Sequence, residues 1–428
     1  IVSGETNAVV PLAYLVALVA MVFTAISYGR MTRVYPSAGS AYTYASEVLH
    51  PNVGFLIGWT SLLDYLLLPM VNAVIARIYF ESFFPTLPAW VFVLLYVAGV
   101  TVLNLWSMKG TSRVNGFLVV FQTVLIAVFV ILAWKAIQNG MGEGTIFTMK
   151  PLYHDDVHMQ AVIAGATVVC FSFIGFDAIT MYTEEAKSTD TIPRAIVLAL
   201  LIGGAIFFIG AWFSQVAFPT LDGFEVTDDT LPEIALKVGG TVFKILFTSA
   251  ALAAVIASSL SSHASVSRMI YVMGRNGKGN VSRWLSFIHP RYLTPTHAVL
   301  IVGVVSLLAM KFTLEFISSM INFGALIAFT VVNLTVIVYY AIRRGERHTA
   351  GQVFHNIVLP FIGMCLTGVL WVNLHFDALA YGSIWLTIGV ILLLYITRGL
   401  RAPLTMKIEE ETLAEEGTPV PHIKHGEE

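Results

Sequence analysis

Apolar runs of roughly 20 residues recur along nearly the whole chain, broken by short polar stretches, and each can cross about 30 Å of hydrocarbon as a helix. Eleven such spans are predicted, at approximately 9–29, 52–83, 88–106, 114–136, 159–183, 195–218, 242–273, 295–311, 314–342, 354–373 and 379–398. In lipid a helix satisfies its own backbone donors and acceptors, so the pattern predicts an all-α polytopic membrane protein. The connections are short except 137–158 and 219–241, which are polar and partly acidic. Residues 1–402 therefore read as one transmembrane domain, and 403–428, rich in Glu with Pro and His, as a solvated and disordered acidic tail.

Lys and Arg between the spans predict the orientation. Arg30, Arg33, Lys109, Arg113, Lys187, Arg194, Arg268, Arg275, Arg343, Arg344 and Arg347 fall on alternate loops of one side, with the C-terminus. The other side has only Lys135, Lys150, Lys237, Lys244 and Lys311, so the first is predicted to be cytoplasmic. The opposite loops collect acids, among them Asp155, Asp156, Asp222, Glu225, Asp228 and Asp229. They form either a vestibule that concentrates cations or ordinary solvated loops. The same topology puts Ile1 outside, and Ile1 is not a methionine, so a preceding segment with at least one further span is expected.

Composition agrees with the pattern. Apolar residues make up 57% of the chain and charged residues 12%, with mean hydropathy +0.79, too few charges to keep a soluble surface dispersed. The net charge of −2 says little about nucleic acid as a partner, and no basic tract suggests one. Cys170 and Cys365 both fall inside apolar spans, so no disulfide framework is expected. No H-E-x-x-H and no nucleophile–base spacing suggests an enzyme.

Polar groups at membrane depth carry the candidate chemistry, because a carboxylate far from both interfaces is costly. Asp64 lies about 18 Å from the nearer end of its span at 1.5 Å per residue, with Thr60, Ser61 and Asn72 on one helical face. That stripe implies a wet or ligand-filled interior, or else a buried Asp capped for packing. Trp59 and Tyr65 can cradle an ammonium by cation–π contact, or simply pack. In Cys170–Asp177, Ser172 and Gly175 weaken the helix, and a break there would expose carbonyls beside Asp177. Ser258, Ser261, Ser262 and Ser265 have the spacing of a packing face, and His263 is either a satisfied interior histidine or a proton shuttle. Glu184 and Glu185 stand near the end of span five as a possible gate, and Arg77 sits where snorkelling to the interface would relieve it.

Several stretches resemble the amino acid–polyamine–organocation (APC) transporter superfamily, and within it the putrescine-importing branch. They are Thr24–Gly29, Ala38–Ala45, Gly58–Tyr65, Cys170–Asp177 with Thr183–Glu185, Ser262–Arg268 and Ile321–Leu326. The resemblance implies a LeuT-like 5+5 inverted repeat of twelve helices, of which the eleven spans are the second to the twelfth and the first is largely missing. It aligns Phe171–Gly175 with the break in the sixth helix. It also places Gln122 where proton-coupled relatives can carry a lysine, which leaves the coupling roles of Asp177 and His263 open.

The implied function is secondary active uptake of putrescine by alternating access, driven by a proton or cation gradient with no cofactor. One ammonium would lie near Asp64 and Tyr65. The methylene chain would lie against Phe171, Phe173, Trp59 or Phe323, and the other ammonium near Asp177 or the carbonyls around Gly175. A permease for cationic or neutral amino acids, or a putrescine–amino acid antiporter, is the alternative. The expected setting is a bacterial inner membrane, with the lipid bilayer and the small cation as partners and no obligate protein partner.

Overall fold

The structure, a computed structural model, describes residues 2–400 apart from 7, 37–39, 85, 107–110, 155–156, 187, 221–229, 277–279, 291 and 293. The tail 403–428 and the loop acids Asp155, Asp156, Asp222, Glu225, Asp228 and Asp229 lie outside the described residues. The helices in chain order are α1 (Val2–Glu5), α2 (Val10–Val34), α3 (Ser40–Val48), α4 (Pro51–Phe83), α5 (Ala89–Trp106), α6 (Thr111–Gln138) and α7 (Met159–Val169). They continue as α8 (Thr191–Ala217), α9 (Leu231–Asn276), α10 (Asn280–Leu285), α11 (Thr296–Ser306), α12 (Leu314–Val336), α13 (Ala350–Val353), α14 (Leu359–Val372) and α15 (Phe376–Ile396). No strand occurs among the described residues.

Among the described residues ten helical stretches are long and apolar enough to cross a membrane, and Thr296–Met310 is a shorter eleventh. Each span read from the sequence has its helix. Several shorter elements went unread, among them α10 and α13. Helix α3, at nine residues, is too short to register as a span. The stretch 231–239, read as loop, is helical and joins the rest of α9 across a kink at Gly240 (φ 72°, ψ −174°). Local signals set the ends: Pro11 opens α2, and the His50 side chain caps α4 by accepting from the Asn52 N–H.

Helix α12 is the centre of the bundle, packed on α2, α3, α4, α7, α14 and α15. Its residues Asn322, Phe323, Leu326, Phe329 and Val332 are almost wholly buried, so it is enclosed on every side. At Gly324 an added Cβ would lie 2.5 Å from the Thr60 carbonyl oxygen. Glycine therefore lets α12 approach α4 one turn before Asp64. The C-terminal ends of α12 and α13 loosen into π-helical turns, Ile337–Arg343 and Phe354–Val358, at the arginine-rich end of the bundle. There Arg30 of α2 donates to the His355 carbonyl and to Asn356 Oδ1 and lies 4.0 Å over the Tyr340 ring.

Candidate functional site

Helix α7 stops where the sequence weakens it. After Val169 the chain makes one 3-10 turn, Cys170–Phe173, then runs extended at Ile174 (ψ 135°) and turns through Gly175 at φ 117°, a conformation that favours glycine. It resumes as a second 3-10 segment from Asp177 to Glu185. Asp177 is held at the start of that segment, where its Oδ1 accepts from the Gly175 N–H at 3.2 Å. Thr180 Oγ1 donates to its carbonyl at 2.6 Å.

Asp64, on α4, is 6% exposed, and its Oδ1 has no hydrogen-bond partner among the described residues. Asp64 and the phenols of Tyr28, Tyr44 and Tyr65 lie within electrostatic reach of Asp177, and Tyr28 packs on both Tyr44 and Phe176, the residue before Asp177, so these side chains gather at the break. A buried acceptor without a donor costs its desolvation, and two nearby carboxylates repel. A bound cation relieves both at once. Pro69 also withdraws one backbone donor from α4 just beyond the cluster.

Tyr28 and Tyr44 are site residues that the sequence reading missed. Both are fully buried; their rings meet edge to face at 6.1 Å, and Tyr28 packs likewise on Phe176 at 5.8 Å. The Tyr44 hydroxyl has no hydrogen-bond partner among the described residues. A tyrosine near the end of an apolar span gives no periodic signal, and α3 was not read as an element. Only the resemblance of Thr24–Gly29 and Ala38–Ala45 pointed there.

Three of the four aromatics expected along the methylene chain are committed elsewhere. Trp59 stacks on Trp385 of α15 at 4.6 Å, and each indole N–H donates to the other's carbonyl, at 2.8 and 2.9 Å. That reciprocal pair joins α4 to α15. Phe323, fully buried, lies 5.5 Å from Trp371 and against Gly382, so it packs α12 on α14 and α15. Phe173 packs on Tyr14 and Phe207. Phe171 instead lines a cavity of about 300 Å³ with Ile75, Tyr79, Val168, Ser172 and Ser318. A larger cavity of about 400 Å³, bounded by Tyr14, Phe129, Phe207 and Phe247, is lined by no carboxylate.

The coupling candidates are scattered. His263, 1% exposed, is 3.0 Å through Nε2 from the Val299 carbonyl on α11, a satisfied interior histidine. Its neighbour Ser262, with Ser258, receives the Asn72 amide of α4 at 3.5 and 3.2 Å. His263 is one residue on, about 100° around the helix, and so faces away from α4. Asn72 is thus engaged in packing α4 on α9. Gln122 is half-buried on α6, which packs on α8 and α9. Glu184 and Glu185 end the second 3-10 segment; their side chains lie outside the described part. Arg77 does not simply snorkel: its guanidinium donates to the Ala309 carbonyl at 3.3 Å and lies 4.0 Å from Glu81.

Comparison with known proteins places this geometry. The chain is 45% identical over 404 residues to the low-affinity putrescine importer PlaP of Escherichia coli (strain K12), covering 94% of this chain and 89% of that protein. The branched-chain amino acid permease BcaP of Bacillus subtilis (strain 168) is 24% identical over 90% of the chain and 85% of its own length. The vacuolar cationic amino acid transporter 4 of Arabidopsis thaliana is 28% identical over 78% of the chain and 58% of its own. Residues 1–396 match the amino acid permease family, and the chain is a multi-pass membrane member of that transporter family.

Proposed function

We propose that this protein imports putrescine across a bacterial plasma membrane by alternating access, with its arginine-rich end and C-terminus in the cytoplasm. The observation that carries the reading is the buried Asp64 carboxylate, with one oxygen unpartnered, beside Asp177 at the break in α7. Two carboxylates suit a dication. A zwitterionic amino acid needs instead a donor set for its own carboxylate, the usual task of a broken helix's N-terminus. The 45% identity to a putrescine importer supports the same substrate.

In this reading Asp64 and Tyr65 take one ammonium group. Asp177, with Tyr28 and Tyr44, receives the cation on its way to the cytoplasm. Each positive charge gains about 2.3 kcal/mol per 100 mV of inside-negative potential, so uptake needs no cofactor, and proton symport would add to the gradient's pull. Asp177 is the nearest candidate for a coupling proton, since His263 is tied to α11.

Uptake of labelled putrescine into vesicles carrying the full-length protein tests this. The expected result is saturable uptake, competed more strongly by cadaverine than by spermidine, ornithine or leucine, and stimulated by an inward proton gradient. Saturable leucine or ornithine uptake that putrescine does not inhibit would replace the reading with an amino acid permease.

A further inference from the structure

Arg268, Arg275, Lys278, Arg283 and Arg291 lie close together in the sequence, and no Asp or Glu occurs anywhere from 234 to 314. Elsewhere at the arginine-rich end the protein answers its own cations. Arg33 and Arg194 share Asp190, at 2.9 and 3.7 Å, and Arg344 meets Glu346 at 3.5 Å. Arg30 and Arg343 donate to backbone carbonyls. Arg268 of α9 and Arg283 of α10 differ. Both are exposed, and neither guanidinium has an ion pair or hydrogen bond among the described residues.

Beside Arg283 stands an aromatic platform. His297, in the first turn of α11, stacks with Trp284 at 4.4 Å and with Phe287 at 4.8 Å, and its Nδ1 lies 2.7 Å from the Trp284 carbonyl oxygen. The turn back to α11 is pinned as well. The His289 N–H donates to the Thr294 carbonyl at 2.9 Å, and Thr294 Oγ1 donates to the Leu105 carbonyl of α5 at 3.0 Å. Trp284, Phe287, Ile288 and Tyr292 nevertheless stay exposed. Apolar side chains held in place at a surface mark a contact.

The depth of that surface follows from α9 and α11, which run in opposite directions. His263 of α9 reaches the Val299 carbonyl of α11, so these two residues are level. Arg268 lies five residues beyond His263, about 8 Å, and His297 lies about 3 Å from Val299 toward the same end. The ring stack is therefore level with the last turn of α9 before Arg268. The membrane-crossing stretch of α9 ends at Arg268, and the apolar helix that follows starts at Thr296. This is the headgroup layer, where aromatic rings and basic side chains gather.

We propose that Arg268 and Arg283, with the platform of Trp284, Phe287, Ile288 and Tyr292, form a binding surface for anionic phospholipids. The arginines stand on different helices, and each takes a phosphate of its own. The aromatic and aliphatic edges enter the boundary between headgroups and acyl chains. The acid-free stretch around them favours a lipid of net negative charge over a zwitterionic one. This surface goes beyond the putrescine reading and rests on it only for the leaflet, since the arginine-rich end is there read as cytoplasmic.

The test is native mass spectrometry of the purified full-length protein in neutral detergent, titrated with phosphatidylglycerol or phosphatidylcholine. Phosphatidylglycerol is expected to bind at least tenfold more tightly, and inorganic phosphate is expected not to displace it. Arg268→Gln and Arg283→Gln should each weaken phosphatidylglycerol about fivefold, the worth of one basic residue near an anionic surface, and leave phosphatidylcholine within twofold. Both arginines are exposed and unpaired among the described residues, so neither change should impair folding. Ile288→Ser removes apolar contact without charge and should weaken both lipids alike. Arg344→Gln, whose cation already has Glu346, should change neither lipid by more than twofold. Equal binding of the two lipids, displacement by inorganic phosphate, or arginine variants that bind like the unaltered protein would each overturn the proposal. So would a phosphatidylglycerol preference that survives about 1 M salt, where screening acts within about 3 Å. The readout is lipid binding and not transport. Its failure leaves the putrescine reading standing, and a protein that binds the lipid but imports no putrescine loses only that reading.

Discussion

Two polar clusters in the same apolar interior differ in one respect. Between α2 and α12, Asn333 accepts from Ser27 Oγ at 2.6 Å and donates to Thr24 Oγ1 and the Phe329 carbonyl, each at 3.0 Å. Asn333 is fully buried, and every group it carries is answered from within the protein. Around the α7 break, Asp64 Oδ1, Asn322 Oδ1 and the Tyr44 hydroxyl are just as deep and have no such answer among the described residues. Buried polarity alone therefore does not identify a site. The satisfied cluster fixes which helix lies beside which, and the unsatisfied one leaves acceptors that a donor from outside can meet.

This contrast breaks most clearly at Asp64. Asp64→Asn is expected to weaken putrescine by a hundredfold or more, the scale of about 3–5 kcal/mol for losing one partner of a buried charge pair. It should leave the thermal stability of the empty protein unchanged or raise it, because an uncompensated buried charge is gone. Retained affinity would move the substrate off Asp64. Asn333→Leu should do the reverse. It leaves Ser27 and Thr24 without their partner and is expected to cost about 2–3 kcal/mol of stability, read as a lower melting temperature in detergent, with putrescine affinity unchanged in the folded fraction. Trp59→Phe keeps the ring stack on Trp385 but deletes one indole bond, so a loss of about 1 kcal/mol in stability and no change in affinity are expected. A large affinity loss there would return Trp59 to the substrate.

The sequence shows the bundle well and the cluster only in part. Eleven long apolar runs could be counted because each must span the same thickness of hydrocarbon, and Asp64 and Asp177 stood out because charge at that depth is rare. The α7 break was legible from Ser172 and Gly175 in an apolar run. What a linear pattern does not carry is who faces whom. Trp59 and Phe323, read as walls for the methylene chain, pack on Trp385, Trp371 and Gly382, partners distant in sequence that no linear pattern announces. For His263 the sequence left a satisfied interior histidine and a proton shuttle both open, and only the partners Val299 of α11 and, for Asn72, Ser258 of α9 show where these polar groups are spent. Tyr44 could not be placed at all, because its nine-residue helix is shorter than the pattern being counted.

Tyr44 gives the smallest and most discriminating test. Its ring is fully buried and packs edge to face on Tyr28, contacts that phenylalanine would keep. Only the hydroxyl changes in Tyr44→Phe. If that oxygen were structural, removing it would cost stability, as at Asn333. It has no partner among the described residues, so its removal deletes an unanswered polar group, and stability should hold or rise by a few tenths of a kcal/mol. If the hydroxyl meets the cation beside Asp177, putrescine affinity should fall three- to tenfold, the value of about 0.5–1.5 kcal/mol for one hydrogen bond. Opposite signs for stability and affinity in a single substitution would place Tyr44 with Asp64 rather than with Asn333. A protein less stable and equally avid would place it with the packing.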